Sequence, residues 1–152
     1  MRVCTVRESH VTDIYVLAAN LREGDHAEVI ALGFDPRDAI RRSYRDAILR
    51  RTYLVDGEIA AMSGLCGAML SDIGEPYLMT TAQAEKIPVS FLRHARSTVA
   101  EMLGHRSRLE GYVAASYHKA CRLLEVLGFE LREPSPLGPH GALFRRYSIG
   151  SS

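Results

Sequence analysis

Hydrophobic and polar positions along this chain recur with two alternating periods. Val3 to Val6 sets β-branched residues among polar neighbours and reads as a short first strand. From Val11 to Arg22 the period lengthens: Ile14, Leu17, Ala18 and Leu21 share one helical face, and Gly24 with Asp25 is expected to stop that helix. A short helical piece follows over Ala27 to Leu32, ended by Gly33. Asp35-Pro36 opens the next helix, with Asp35 as N-cap, Pro36 at the first helical position and Asp38 at the positive end of the dipole. Ile40, Tyr44, Ala47 and Ile48 are expected on its inner face, with Arg41, Arg42 and Arg45 outside.

Thr52-Tyr53-Leu54-Val55, then Asp56-Gly57, then Glu58-Ile59-Ala60 is a β-hairpin signal, because the two-residue turn needs positive φ at both positions. The returning strand extends towards Leu65. Gly64 and Gly67 within it predict a bulge or a close backbone approach. A turn over Asp72 to Pro76 leads into a third strand, Tyr77 to Thr81, so the middle of the chain is an antiparallel meander. Pro88 to Gly104 is the long central helix, and Leu109 to Ala115 a strand. Tyr117 to Leu127 is a helix closed by Gly128, and Phe129 to Arg132 a strand. Glu133 to Gly141, with three prolines and two glycines, is a loop; Ala142 to Ile149 is the last strand, and Ser151-Ser152 a tail. Leu92, Val99, Leu123, Leu124 and Leu127 are the expected core of the later helices. No repeat or linker breaks the 152 residues, which predicts one domain.

Composition removes several classes of function. Hydrophobic residues form 47% and charged residues 24% of the chain, a globular mixture that disfavours disorder. The formal charge of +1 gives no basic field, so nucleic acid is not an expected partner, although an Arg-rich helix face and Arg145-Arg146 offer some phosphate-seeking groups. No apolar run reaches membrane-spanning length, and the first residues lack an apolar signal core. Cys4, Cys66 and Cys121 are too widely spaced for a zinc site or a disulfide framework, and fit thiols of a reducing cytoplasm. The six histidines show no metal-binding spacing, and no metal is expected. Asp25 and Glu28 lie one turn apart and are a candidate general base, against a plain reading as carboxylates favoured by a helix N-terminus.

The segment Tyr117-His118-Lys119-Ala120-Cys121-Arg122-Leu123-Leu124-Glu125-Val126-Leu127-Gly128-Phe129 resembles the GNAT signature Asn-x-x-Ala-x-x-Leu-Tyr-Glu-x-x-Gly-Phe, with one extra residue before the glycine. Ala120, Leu123, Glu125, Gly128 and Phe129 match. The order of elements along the chain is also that of the GNAT superfamily of amine N-acetyltransferases. The resemblance implies an α/β (α+β) fold, a mixed and mostly antiparallel central sheet of about six or seven strands flanked by helices. It further implies a cleft between the fourth and fifth strands, with walls at Met79 to Gln83 and Val113 to Tyr117.

Two departures from the family pattern shape the functional expectation. The family's Asn and Tyr positions fall at Tyr117 and Leu124; in many members that Tyr protonates the departing coenzyme A thiolate. Leu124 cannot do so, which leaves Tyr117, at the start of the same helix, as a displaced substitute, with Glu28 as base. The family's cofactor loop, Arg/Gln-x-x-Gly-x-Gly/Ala, holds a pyrophosphate on backbone N–H groups. Here the stretch Thr80 to Pro88 has no glycine, carries Glu85 and loses one N–H at Pro88. Thr81, Gln83 and Lys86 are what it offers a cofactor. The chain also resembles, over about residues 5–147, small GNAT-like proteins of short-tailed bacteriophages, some of them internal virion proteins. The features are Asp25-x-x-Glu28, Gly33-x-x-Pro36, Asp56-Gly57, Thr80-Thr81 before Phe91-Leu92-Arg93, and Leu-Gly-Phe.

That resemblance implies a virion-associated component, found in the host cytoplasm or the particle, without a cofactor. It would contact other virion proteins or a second copy through Arg41, Arg45, Pro136 and Pro139. The alternative is an active N-acetyltransferase that uses acetyl-CoA.

Overall fold

The computed structural model describes residues 2–68 and 70–151, so Ser152 of the expected tail lies outside the described residues. The elements run β1 (Cys4–Glu8), α1 (Asp13–Ala19), α2 (Glu23–Ala31), α3 (Pro36–Asp46), β2 (Ala47–Val55), β3 (Glu58–Cys66) and β4 (Ile73–Thr80). A 3-10 turn (Ala82–Lys86) leads to α4 (Pro88–His105), β5 (Arg108–Ala114), α5 (His118–Val126), β6 (Glu130–Leu131), β7 (Ser135–Leu137) and β8 (Ala142–Gly150). The described residues thus form a mixed sheet of eight strands in the order β1-β2-β3-β4-β5-β8-β6, with β7 on β8. Every pairing is antiparallel except β4 with β5. No described helix is long and apolar enough to cross a membrane.

Most of the local signals hold. Asp56 and Gly57 take φ of 51° and 83°, the two positive values that the hairpin turn requires. Asp35 caps α3, its carboxylate accepting from the Asp38 N–H at 3.2 Å. Gly128 closes α5 with φ 100°. Gly64 is a close approach: a Cβ there would lie 2.4 Å from the Leu49 carbonyl oxygen and from the Tyr77 hydroxyl.

Four expectations are corrected. Gly24 and Asp25 do not stop a helix; they sit in the first turn of α2. Glycine is cheap there because first-turn N–H groups lack helical partners anyway, and an aspartate suits the positive end. Ala47 and Ile48 do not extend α3, since the ladder with β3 begins at Ala47↔Cys66 and takes them as strand; Ile48 points to solvent. The proline-rich loop contains β7, an edge strand where Pro136 needs no donor, and this raises the strand number above the expected six or seven. The buried stripe of α4 is Phe91, Ala95, Thr98 and Met102, while Leu92 and Val99 are only partly buried. On α5, Cys121 goes deepest and Leu123, Leu124 and Leu127 are partly buried. Apolar residues span a wide arc of both helices, and the sheet selects its centre.

The residues expected at an interface lie on the surface. Arg41 pairs with Asp38 at 3.6 Å and Arg45 with Asp46 at 2.9 Å. Pro139 rests on Gly33 beyond the end of α2, where an added Cβ would meet its ring at 2.8 Å, and Gly138 sits against the Ala31 carbonyl. Pro136 is exposed within β7.

Candidate functional site

β4 and β5 are hydrogen-bonded neighbours only at Ile73↔Arg108 and Gly74↔Leu109. Beyond those pairs they diverge, and their cleft-facing backbone groups need other partners. α2 supplies them. Asp25 accepts from the Thr80 N–H at 3.2 Å and also from the Thr80 hydroxyl. One turn later Glu28 accepts from the Ala114 N–H of β5 at 3.0 Å. The two carboxylates therefore bridge the two arms of the split. The link before α2 adds to β4 as well, through Arg22 N–H on the Thr80 carbonyl at 2.9 Å and a bridge between Leu21 and Thr81.

Asp25 is the hub of the site. It also accepts from the Tyr117 hydroxyl at 3.2 Å and lies 3.8 Å from the Arg22 Nε. It makes no capping bond to its own helix. Arg22 in turn donates to the Tyr117 hydroxyl at 3.0 Å and to Glu85 at 3.3 Å, and Lys119 reaches the same Glu85 oxygen at 3.4 Å. Gly24 allows this packing, since a Cβ there would sit 2.4 Å from the Tyr117 ring.

Burial sets the electrostatics. It pushes the Asp25 carboxyl up, against the hydrogen bonds from Thr80 and the Arg22 charge. It pushes Glu28 up to about 7, helped by the nearby Asp25 charge and opposed by the Ala114 N–H. Tyr117 is pushed up to about 12, again by burial first and then by Asp25. Glu85 is exposed and held low by Lys119 and Arg22. Among the described residues Glu28 thus has no ion-pair partner, and it lies, its carboxyl raised towards neutrality, in a cleft of about 970 Å³.

Of the expected cleft walls, Ala114 to Tyr117 line it on the β5 side, but only Ala82 does so from Met79 to Gln83. Of the expected site residues, Glu28 and Tyr117 face the cleft, on either side of Asp25. Thr81 is buried, and its hydroxyl is committed to the Ile59 carbonyl and the Gln83 N–H. Gln83 and Lys86 lie on the 3-10 turn, outside the cleft lining. Sequence reading missed Arg22, Thr80 and Lys119. Arg22, three residues before Asp25, could have been found from that spacing. Among the described residues, no His, Cys, Asp and Glu group is arranged to hold a metal.

No family model and no curated protein matches the chain. Solved structures do. The acetyltransferase of the GNAT family from Streptococcus pneumoniae superposes with a TM-score of 0.66 at 14% identity, covering 99% of this chain and 100% of that one. The ribosomal-protein-S18-alanine N-acetyltransferase from Escherichia coli gives 0.66 at 18% identity, over 99% and 95% of the two chains. The spermidine N-acetyltransferase from Vibrio cholerae, in complex with CoA and spermine, gives 0.69 at 14% identity, over 97% and 95%. At such identities the likeness is one of fold, and the chain has the fold of the GNAT N-acetyltransferases.

Proposed function

We propose that this protein is an acyltransferase that moves an acetyl group from acetyl-CoA to an amine, with Glu28 as general base. The observation that carries the reading is Glu28 itself, a carboxylate with no ion-pair partner among the described residues, raised to about 7 and set where β4 and β5 part. The bond from the Ala114 N–H needs only an acceptor oxygen, which a neutral amide would supply without burying a charge, whereas a base operating near neutral pH needs a carboxylate with such a value. The fold neighbours named above, all acetyltransferases, support the same reading.

The site residues fit an acyl-CoA. The open split between β4 and β5 has room for a thioester arm. Glu85, hostile to phosphate on sequence grounds, is already neutralised by Arg22 and Lys119. Lys86, Lys119 and the first amides of α4, those of Val89 and Ser90 after Pro88, would receive the phosphates. When bound, an acyl-CoA supplies an activated thioester carbonyl.

Ionised Glu28 takes a proton from the amine nitrogen as the carbon–nitrogen bond forms and the carbon–sulfur bond breaks. The sulfur leaves with its electron pair; an ordinary thiol pKa of about 8.5 lets it go near neutral pH without a strong acid. Tyr117 is not poised to supply one. Its pKa of about 12 is too high, and its proton points at Asp25. Tyr117 and Asp25 instead position Arg22 and the β4 arm.

Calorimetric titration with acetyl-CoA tests the reading. One site per chain is expected, weakened when Lys86 and Lys119 are both changed to Glu. An absence of binding at millimolar acetyl-CoA defeats it.

A further inference from the structure

Resting on the acyltransferase reading, we infer that the acceptor is a single primary amine carried on an apolar body, not a polyamine. The face of α2 towards the cleft is Gly24, Ala27, Glu28 and Ala31, spaced as one helical stripe. Ala142, Leu143 and Phe144 of β8 also line the cleft, with Leu143 exposed to it and the Phe144 side chain buried. In this lining Glu28 stands as one acid among small and apolar groups.

Charge balance points the same way. The cleft lining holds Glu23, Glu28 and Glu85 against Arg22 and Lys119. Glu85 is taken by both cations, and Glu23 lies exposed in the first turn of α2. That leaves Glu28 as the one lining acid that is neither exposed nor ion-paired among the described residues, so the interior offers a single carboxylate to an ammonium. Asp25 is buried behind the cleft lining, and its Oδ2 already takes Thr80, Tyr117 and the nearby Arg22, so it is not presented to an acceptor.

The apolar side is short of a partner. Leu143 is 53% exposed on the cleft wall although it belongs to a paired strand. An aliphatic or aromatic substituent next to the amine would cover it along with Ala27 and Ala31. An α-amino group also suits this base better than a side-chain amine, because its ordinary pKa of about 7.7–8.0 lies far closer to that of Glu28 than the 10.4 of lysine.

Leucinamide, a short peptide with N-terminal leucine, and spermidine are the probes. Calorimetry on the protein with each amine reads binding without turnover, and thiol release with acetyl-CoA reads kcat/KM. An apolar acceptor should be favoured over spermidine by about tenfold or more in both, the scale of small hydrophobic contacts in a specificity pocket. Preference for leucinamide identifies a free small amine, and preference for the peptide identifies a polypeptide terminus; either supports the inference. Ala31→Asp should move the ratio towards spermidine. Spermidine equal to or better than both apolar probes overturns the inference, as does failure of every amine to bind. If leucinamide or the peptide binds selectively but no thiol is released, the acceptor inference stands and the catalytic reading falls.

Discussion

Replacing Glu28 by Gln separates a catalytic carboxylate from a structural one. The folded protein raises this carboxyl from its ordinary 4.5 to about 7. It therefore holds the proton more tightly than the unfolded chain does. Below pH 4.5 both states are protonated and the group is neutral to stability. As pH rises through 4.5 to 7 the unfolded chain ionises first, and folding loses stability; above 7 the loss is constant. At 1.36 kcal/mol per unit, the rise sets a ceiling of about 3 kcal/mol. Glu28 is partly buried, and water at the cleft reduces that to roughly 1–2 kcal/mol. Glu28→Gln has no proton to lose, and its amide oxygen still accepts from the Ala114 N–H. Urea denaturation should find the variant more stable than the parent by that amount at pH 8, and equal to it near pH 4.5, with an unchanged m-value. In the same protein the transfer rate should fall by about 10²–10⁴, the usual contribution of a positioned base. A variant less stable at pH 8, or a stability difference that ignores pH, refutes the account of Glu28.

Gly24→Ala places a methyl 2.4 Å from the Tyr117 ring, so kcat should drop by about tenfold or more from misplaced geometry, while circular dichroism keeps the folded spectrum. Gly64→Ala drives a Cβ to 2.4 Å from the Leu49 carbonyl oxygen, a backbone atom that cannot swing away; thermal melts should show a loss of about 1–3 kcal/mol. Asp13 is buried, which would push its carboxyl up, but Arg7, the His10 N–H and Thr52 outweigh this and hold it low. Its stabilisation is present above the ordinary aspartate range and is lost as pH falls through the depressed value. Asp13→Asn should cost about 3–5 kcal/mol at pH 7 and remove that acid sensitivity.

The fold was legible where local chemistry decides. The Asp56-Gly57 turn, the Asp35 cap, the Gly128 stop and the long central helix each follow from a short run of residues. Register and helix rotation were less so. Whether Phe91 or Leu92 faces the sheet depends on where β2 and β3 lie, which no local pattern contains. The site was half legible. Glu28 and Tyr117 carried a signal, one through its spacing from Asp25, the other through its place at the head of a family-like helix. Ala114 carried none, and Thr80 entered only as part of a family-like pair, because the partners of their N–H groups appear only when two strands diverge. The glycine-free cofactor loop read as loss of function. The structure shows what sequence spacing could not, that Glu85 sits between Arg22 and Lys119 and is neutralised by them. In the loop of residues 133–141, Gly138 and Pro139 rest against the end of α2, while most of the loop stays exposed.

The most direct test of the central claim is release of free coenzyme A thiol from acetyl-CoA, followed with and without an amine across pH 5.5–8.5. The account predicts amine-dependent release whose kcat/KM rises with pH as Glu28 ionises near 7, and which Glu28→Gln lowers by about 10²–10⁴, leaving only the pH dependence of the amine itself. Release that is the same with no amine present, or that survives unchanged in Glu28→Gln, would contradict it.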